Sequence, residues 1–264
     1  APGAGGPCFA EAALMAFLAQ SCADALFGMR VFLQAQAVHD RQVPRFQGTI
    51  HASRIPERSD SAARMFRAMS SHDWIAVLDF GSQYTQLIAR RIREQHVYSE
   101  ILRHDIPAAA LAARKPRGIV LSGGPASVLE PKAPMCDPKL YELGIPVLGI
   151  CYGMQMTALA LGGAVKPGES REYGSARVNV ADHDSLFHDL PDVLDVWMSH
   201  GDQVERLPDG FRALAGTRTC PAAAMEHPGR RIFGLQFHPE VVHTPLGSEI
   251  LRRFVFKICA CRGD

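Results

Sequence analysis

The sequence has almost no charge of one sign to spare: 28 basic residues stand against 27 acidic ones, for a net charge of +1 over 264 residues. That balance gives no electrostatic case for a nucleic-acid partner or a membrane surface. It has no Gly-x-x-x-x-Gly-Lys-Ser/Thr phosphate loop, no Gly-x-Gly-x-x-Gly fingerprint and no His/Cys cluster at zinc spacing, so no nucleotide, metal or other cofactor is expected on this chain. Its cysteines are at 8, 22, 136, 151, 220, 259 and 261. An odd, irregular set does not build a disulfide framework, and a reducing cytoplasm is the expected setting. Cys259-Ala260-Cys261 looks like half of a metal pair, but no second pair or nearby histidine completes it. A clean apolar run is also missing. Residues 8–33 carry Phe9, Leu14, Phe17, Leu18 and Leu26, a pattern for an amphipathic or buried helix. Glu11, Asp24 and Arg30 interrupt it, so it is too short and too charged for a membrane span. It also lacks the basic start and cleavage site of a secretory signal.

Residues 1–70 stand apart in composition, rich in Ala and Arg with no repeated strand pattern, and are read as an extension ahead of the main domain. Ordered patterning begins just after Met69. From Trp74, short apolar runs alternate with helical ones. Strands are expected at 75–78, 97–102, 118–121, 145–150 and 232–236. A helix is expected from a Ser82 cap through Glu94, with Leu87, Ile88 and Ile92 on one face. Such alternation means an α/β fold: a mostly parallel open sheet with helices on both faces. Shorter strand-like runs at Val193–Met198 and Phe211–Ala215 suggest a small antiparallel addition at one side.

One segment concentrates the chemistry. Gly149-Ile150-Cys151-Tyr152-Gly153-Met154-Gln155 follows the apolar run 145–148 and leads into a helical one. A cysteine at such a strand-to-helix corner stands at the sheet's carboxyl end, where active residues of α/β sheets gather. The helix aims its free N–H groups and positive dipole end at the sulfur, favouring the thiolate. The glycines at 149 and 153 suit a strained turn with little room for side chains. Much later comes Phe237-His238-Pro239-Glu240. His238 can take the thiol proton and return it to a leaving amine. Glu240, on the same face of an extended segment, can orient the imidazole and stabilise its cation. A lone His-x-Glu is ordinarily a solvated histidine beside a surface glutamate, and most buried cysteines are inert; the combination is what points to a nucleophile, base and carboxylate.

Around these lie supporting candidates. Ser122-Gly123-Gly124-Pro125 is a glycine turn at a strand end. The N–H groups of Gly124 and Tyr152 could hold a developing oxyanion, each such donor contributing about 3–4 kcal/mol to lowering the barrier. Met198-Ser199-His200-Gly201-Asp202-Gln203 is a dense polar set expected at a strand end, suited to a small polar substrate. Gln155, one turn into the helix after Cys151, is a further contact. Ser170-Arg171-Glu172-Tyr173-Gly174 reads as a polar loop with no chemistry derivable from its spacing.

Together, Gly-Ile-Cys-Tyr-Gly-Met-Gln and Phe-His-Pro-Glu resemble the class I (triad-type) glutamine amidotransferases, over about residues 72–258. Leu78-Asp79-Phe80-Gly81-Ser82-Gln83-Tyr84, Leu121 to Pro125, Ser170 to Gly174 and Trp197 to Asp202 narrow the resemblance to the branch serving GMP synthesis. Members acting in anthranilate or carbamoyl phosphate synthesis usually carry Leu-Gly-His-Gln after the cysteine, where this chain has Tyr152-Gly153-Met154-Gln155. The resemblance implies a flavodoxin-like fold over residues 71–258. It implies that Cys151 attacks the side-chain amide of L-glutamine, with His238 as base and acid and Glu240 as its partner. Gly124 and Tyr152 match the oxyanion positions, and Gln155, Ser199, Gly201 and Asp202 match the glutamine pocket. It further implies a partner, the ATP-pyrophosphatase (synthetase) domain, in cis or in trans, which would use ATP and Mg to convert XMP to GMP. Residues 259–264 match the start of the linker to that domain. The alternatives left open are another class I member, such as a gamma-glutamyl hydrolase, or a catalytically silent module that binds a partner.

Overall fold

The structure is a computed structural model and describes residues 72–263. The expectations for residues 1–70, including the helix over 8–33, lie outside the described residues. Among the described residues, nine strands form one mixed sheet. The strands are β1 (Trp74–Asp79), β2 (Tyr98–Arg103), β3 (Gly118–Leu121), β4 (Val147–Ile150), β5 (Ala164–Val180), β6 (Val193–Arg206), β7 (Arg212–Gly216), β8 (Ala224–His227) and β9 (Ile232–Leu235). The helices are α1 (Thr85–Arg93), α2 (Ala108–Arg114), α3 (Tyr152–Ala160) and α4 (Gly247–Arg252), the last continuing as a wider π turn over Arg253–Ile258. The sheet order is β2-β1-β3-β4-β9-β8-β7-β5-β6. The first five run parallel; from β8 onward every pairing is antiparallel.

The parallel half reads as continuous apolar runs because it is covered on both faces. Successive side chains of one strand point to opposite sides, and β1 divides accordingly. Ile75 and Val77 join a core with Ile88 and Ile92 of α1 and Ile250, Leu251 and Phe254 around α4. Ala76 and Leu78 join the opposite core with Leu111 of α2 and Tyr152 and Met156 of α3. Each fully buried Leu or Ile contributes about 1.5–3 kcal/mol relative to exposure. Among the described residues, no helix is long and apolar enough to cross a membrane.

Three expectations need correction. Ser82 does not cap α1: its Oγ accepts from the Tyr84 N–H two residues on, closing a local turn, and the helix begins only at Thr85. The polar run 170–174 is no loop but part of the 17-residue β5, and Ser199 to Gln203 lie inside the 14-residue β6 rather than beyond its end. Both readings failed for one reason. The β5–β6 register jumps between Pro167, opposite Asp202, and Glu172, opposite His200. Residues 168–171 therefore face Gly201 alone, a bulge whose Gly and polar residues imitate a turn in sequence. The antiparallel addition is accordingly four strands, with a long hairpin as its outer edge.

Candidate active site

β4 and β9 are parallel neighbours, with Ile150 opposite Leu235. The Cys151 N–H extends that ladder by donating to Leu235 O at 2.7 Å. The chain then turns abruptly: Cys151 has φ +51° and ψ −105°, a conformation that L side chains rarely adopt, and α3 starts at the next residue. The strain sits on the cysteine itself. The flanking glycines serve close approach instead. A Cβ on Gly153 would lie 2.4 Å from Leu121 O, and one on Gly149 would lie 2.6 Å from the Gly153 carbonyl group. The helix start can pack this tightly on β3 and β4 only without those side chains.

Beyond β9 the chain crosses to the far edge of the sheet. The His238 N–H donates to Trp197 O at 3.0 Å, and Phe237 bridges Met198. The antiparallel half therefore curls back so that β6 returns to the end of β9. Thr244 fastens the joint, donating to His238 O at 2.6 Å and accepting from the Trp197 N–H at 3.1 Å. His238 is thereby fixed beside Cys151, both being buried.

His238 Nδ1 is 2.7 Å from Glu240 Oε1, and the imidazole also hydrogen-bonds the Cys151 side chain. Glu240 is fully buried; its Oε2 has no hydrogen-bond partner in the protein. Burial opposes a charged imidazole, but the hydrogen bond to Cys151 and the Glu240 carboxylate outweigh it and push His238 up to about 10. The Cys151 side chain thus lies between this imidazole and the N-terminus of α3. Tyr84 places its ring edge-on to His238, with centroids 5.2 Å apart.

The sulfur opens on a 650 Å³ cavity, within the range of small-molecule sites. Gly124, Tyr152, Gln155, Ser199, Gly201 and Asp202 all line it with Cys151, so the structure gathers every residue singled out for this site from the sequence. Gly124 is held between Phe80 O, 2.9 Å from where its Cβ would be, and the Tyr152 ring at 3.2 Å, which leaves only backbone facing the cavity. Tyr152 is the first residue of α3, and its N–H has no carbonyl to meet within the helix. Ser199 presents its carbonyl to the sulfur, the thiol donating at 3.5 Å. The Asp202 carboxylate accepts from Ser127 Oγ, and its carbonyl accepts from Gln155 Nε2 at 2.7 Å.

Two further residues near the sulfur were not singled out as site residues from the sequence: Gln236, and His200, which was noted only as part of the polar run 198–203. Gln236, fully buried at the end of β9, turns its side-chain amide to Cys151. His200 sits with Nδ1 3.1 Å from Asp202 O and Nε2 3.6 Å from Glu172 Oε2. Burial holds this imidazole below the ordinary histidine value, against the opposing pull of Glu172. The available signals were a glutamine closing an apolar strand and the alternation of β6, which turns Leu194, Val196, Met198 and His200 to one buried side. Cys259 and Cys261 are buried with their thiols pushed up by burial, Cys261 to about 11. Among the described residues no three His, Cys, Asp or Glu side chains are grouped as a metal would need.

Residues 76–258 match the family model for class-I glutamine amidotransferases. The chain is 54% identical over 190 residues to a GMP synthase (glutamine-hydrolyzing) of Syntrophomonas wolfei, covering 72% of this chain and 37% of that protein. It is 56% identical over 192 residues to the GMP synthase (glutamine-hydrolyzing) of Thermomicrobium roseum, covering 72% of this chain and 36% of that one. Among solved structures, a Thermoplasma acidophilum protein described as a GMP synthase subunit superposes with a TM-score of 0.63 at 34% identity, covering 72% of this chain and 94% of that one.

Proposed function

This chain belongs to the class-I glutamine amidotransferases, and from that premise we propose that it hydrolyses L-glutamine to glutamate and ammonia for the amination of XMP to GMP. The observation that carries the chemistry is the line from the Cys151 sulfur through the His238 imidazole to the Glu240 carboxylate, opening on a polar cavity. The thiolate of Cys151 attacks the side-chain carbonyl carbon of glutamine. Charge moves to the carbonyl oxygen, toward the N–H groups of Gly124 and Tyr152. His238, held as imidazolium, gives its proton to the nitrogen as the C–N bond breaks, and ammonia leaves a glutamyl thioester. Water then attacks the thioester while His238 takes its proton. The C–S bond breaks, glutamate departs and the thiolate returns. Gln155, Ser199, Gly201 and Asp202 form the wall that receives the substrate's polar end.

The chain spans about 37% of the length of its Syntrophomonas relative. The ammonia-consuming step is assigned to an ATP-pyrophosphatase domain, in cis or in trans, where ATP and Mg would act. No cofactor is assigned to the site on this chain, and a cytoplasmic setting fits a thiol nucleophile. Labelling with 6-diazo-5-oxo-norleucine, followed by peptide mass mapping, tests the first half. One adduct on Cys151, blocked by excess glutamine, is expected; adducts spread over several cysteines would remove the case for this thiol. Glutamine-dependent GMP formation on adding a synthetase domain, XMP, ATP and Mg tests the second.

A further inference from the structure

We infer that Gln236 is a working part of the nucleophile: its side-chain NH2 donates to the Cys151 thiolate, held in that orientation by a relay through Gln155 anchored on the Asp202 carbonyl. The inference rests on the proposed role of Cys151 and adds a residue to it.

The two ends of an amide side chain look alike, so orientation must be argued from partners. Here one partner is unambiguous. Asp202 O is a backbone carbonyl and only accepts, so the Gln155 atom 2.7 Å away must be its NH2 group. That same nitrogen lies 3.3 Å from one end of the Gln236 amide. Its second hydrogen needs an acceptor, so that end of Gln236 is the oxygen. The remaining end, 3.7 Å from Cys151 Sγ, is therefore an NH2 donor. Gln236 is fully buried and Gln155 and Cys151 nearly so, which strengthens these bonds relative to exposed ones.

The arrangement resolves a conflict in the site. Ser199 O lies 3.5 Å from the sulfur and suits the neutral thiol, which can donate to it. Once the proton has gone to His238, the same carbonyl faces a negative sulfur. The Gln236 amide supplies a donor on the thiolate, beside the imidazolium of His238. Because Gln155 and Asp202 line the cavity while Gln236 lies behind them, the relay also links the glutamine-binding wall to the reacting atom.

The test uses the full chain with Gln236→Met and Gln236→Glu, both close to the native volume. Iodoacetamide alkylation of Cys151 is followed by mass spectrometry from pH 5 to 10, beside thermal melting. In Gln236→Met the pH of half-maximal rate should rise by about one unit, a roughly tenfold lower thiolate-to-thiol ratio at a given pH. Gln236→Glu, which puts a negative charge against the sulfur, should shift it further. Glutaminase kcat should fall with both. A melting change with an unmoved alkylation profile would mean that Gln236 is only packing, and would overturn the inference. If the variants fail to fold, the native protein decides: the Gln236 side-chain amide protons should shift downfield in NMR as Cys151 ionises, and not in Cys151→Ala. No such difference overturns the inference. Absence of selective Cys151 alkylation in the unaltered protein would instead overturn the nucleophile assignment, and this one with it.

Discussion

Replacing Glu240 by Gln keeps the shape of a fully buried side chain and removes one charge. In the native site His238 rises from an ordinary 6.5 to about 10, against burial, because the sulfur and the Glu240 carboxylate flank its ring. That rise corresponds to about 5 kcal/mol favouring the imidazolium in the folded protein. The sign follows from linkage. A raised pKa gives stability that is fully present below pH 6.5 and is lost as pH climbs through about 10. A single opposite charge at hydrogen-bond distance shifts such a group by about 1–3 units. In Glu240→Gln, therefore, the alkaline limb of the glutaminase profile, where His238 no longer holds the proton for ammonia, should fall by about 1–3 units. The turnover number should fall by about 10³–10⁴, as when the carboxylate partner of another catalytic imidazole is neutralised. Melting temperature at pH 6 should drop, while the loss of stability between pH 6.5 and 10 becomes shallower. The assay is a pH–rate profile with ammonia detection, beside urea unfolding at pH 6 and 9.5. An alkaline limb that stays where it was would refute the assignment of that limb to His238 and the claim that Glu240 sustains its charge.

Three further outcomes follow from local geometry. Cys151→Ala and Cys151→Gly should both abolish glutamine hydrolysis, but Cys151→Gly should be the more stable by about 1–2 kcal/mol in urea unfolding, because glycine accepts φ +51° without strain. Gly153→Ala should cost about 2–4 kcal/mol, since its Cβ would meet backbone, not a movable side chain, 2.4 Å away at Leu121. Arg212→Met removes the guanidinium from Glu226, which is 2% exposed. The expected loss is about 2–3 kcal/mol, below the usual cost of breaking a buried pair because the arginine side of this one is 43% exposed. Adding Glu226→Gln should recover most of that loss, as measured by unfolding midpoint.

The parallel half of the fold was legible because β3, β4 and β9 are buried on both faces and β1 nearly so, and a strand buried twice has no option but continuous apolar residues. The corner at Cys151 was legible because a tight turn from strand to helix imposes small residues at 149 and 153. The hairpin was not, since its outer strands are exposed along much of their length and only one face constrains their residue types. Asp195 is exposed between buried Leu194 and Val196, Val193, Glu205 and Arg206 are exposed at the strand's ends, and the bulge at 168–171 breaks the alternation where it would have been counted. α2 escaped for another reason: six of its seven residues are Ala or Leu, giving strong helix propensity but little periodicity over two turns. Gln236 escaped because a polar residue at the end of an apolar run looks like the surface resuming, whereas the chain there goes on into the interior.

The bulge itself explains why the pocket lies where it does. Side chains of β6 alternate faithfully from Leu194 to His200, then Gly201 and Asp202 break step, and Gln203 and Val204 are buried in succession. A one-step slip in a strand exchanges its faces. Ser199 pairs regularly with Tyr173, and without the slip Gly201 would continue that ladder with β5. With it, residues 168–171 stand unpaired against Gly201, the ladder resumes at Glu172 opposite His200, and Pro167, Gly168 and Gly201 form part of the cavity wall. The parallel half thus places Cys151 and His238 beyond the ends of β4 and β9. The antiparallel half supplies a recess by failing to pair. Filling that recess by shortening 168–171 to restore a regular hairpin should leave the Cys151 alkylation profile intact while KM for glutamine rises. A variant shortened in this way that binds glutamine normally would show that the recess is not the substrate's place.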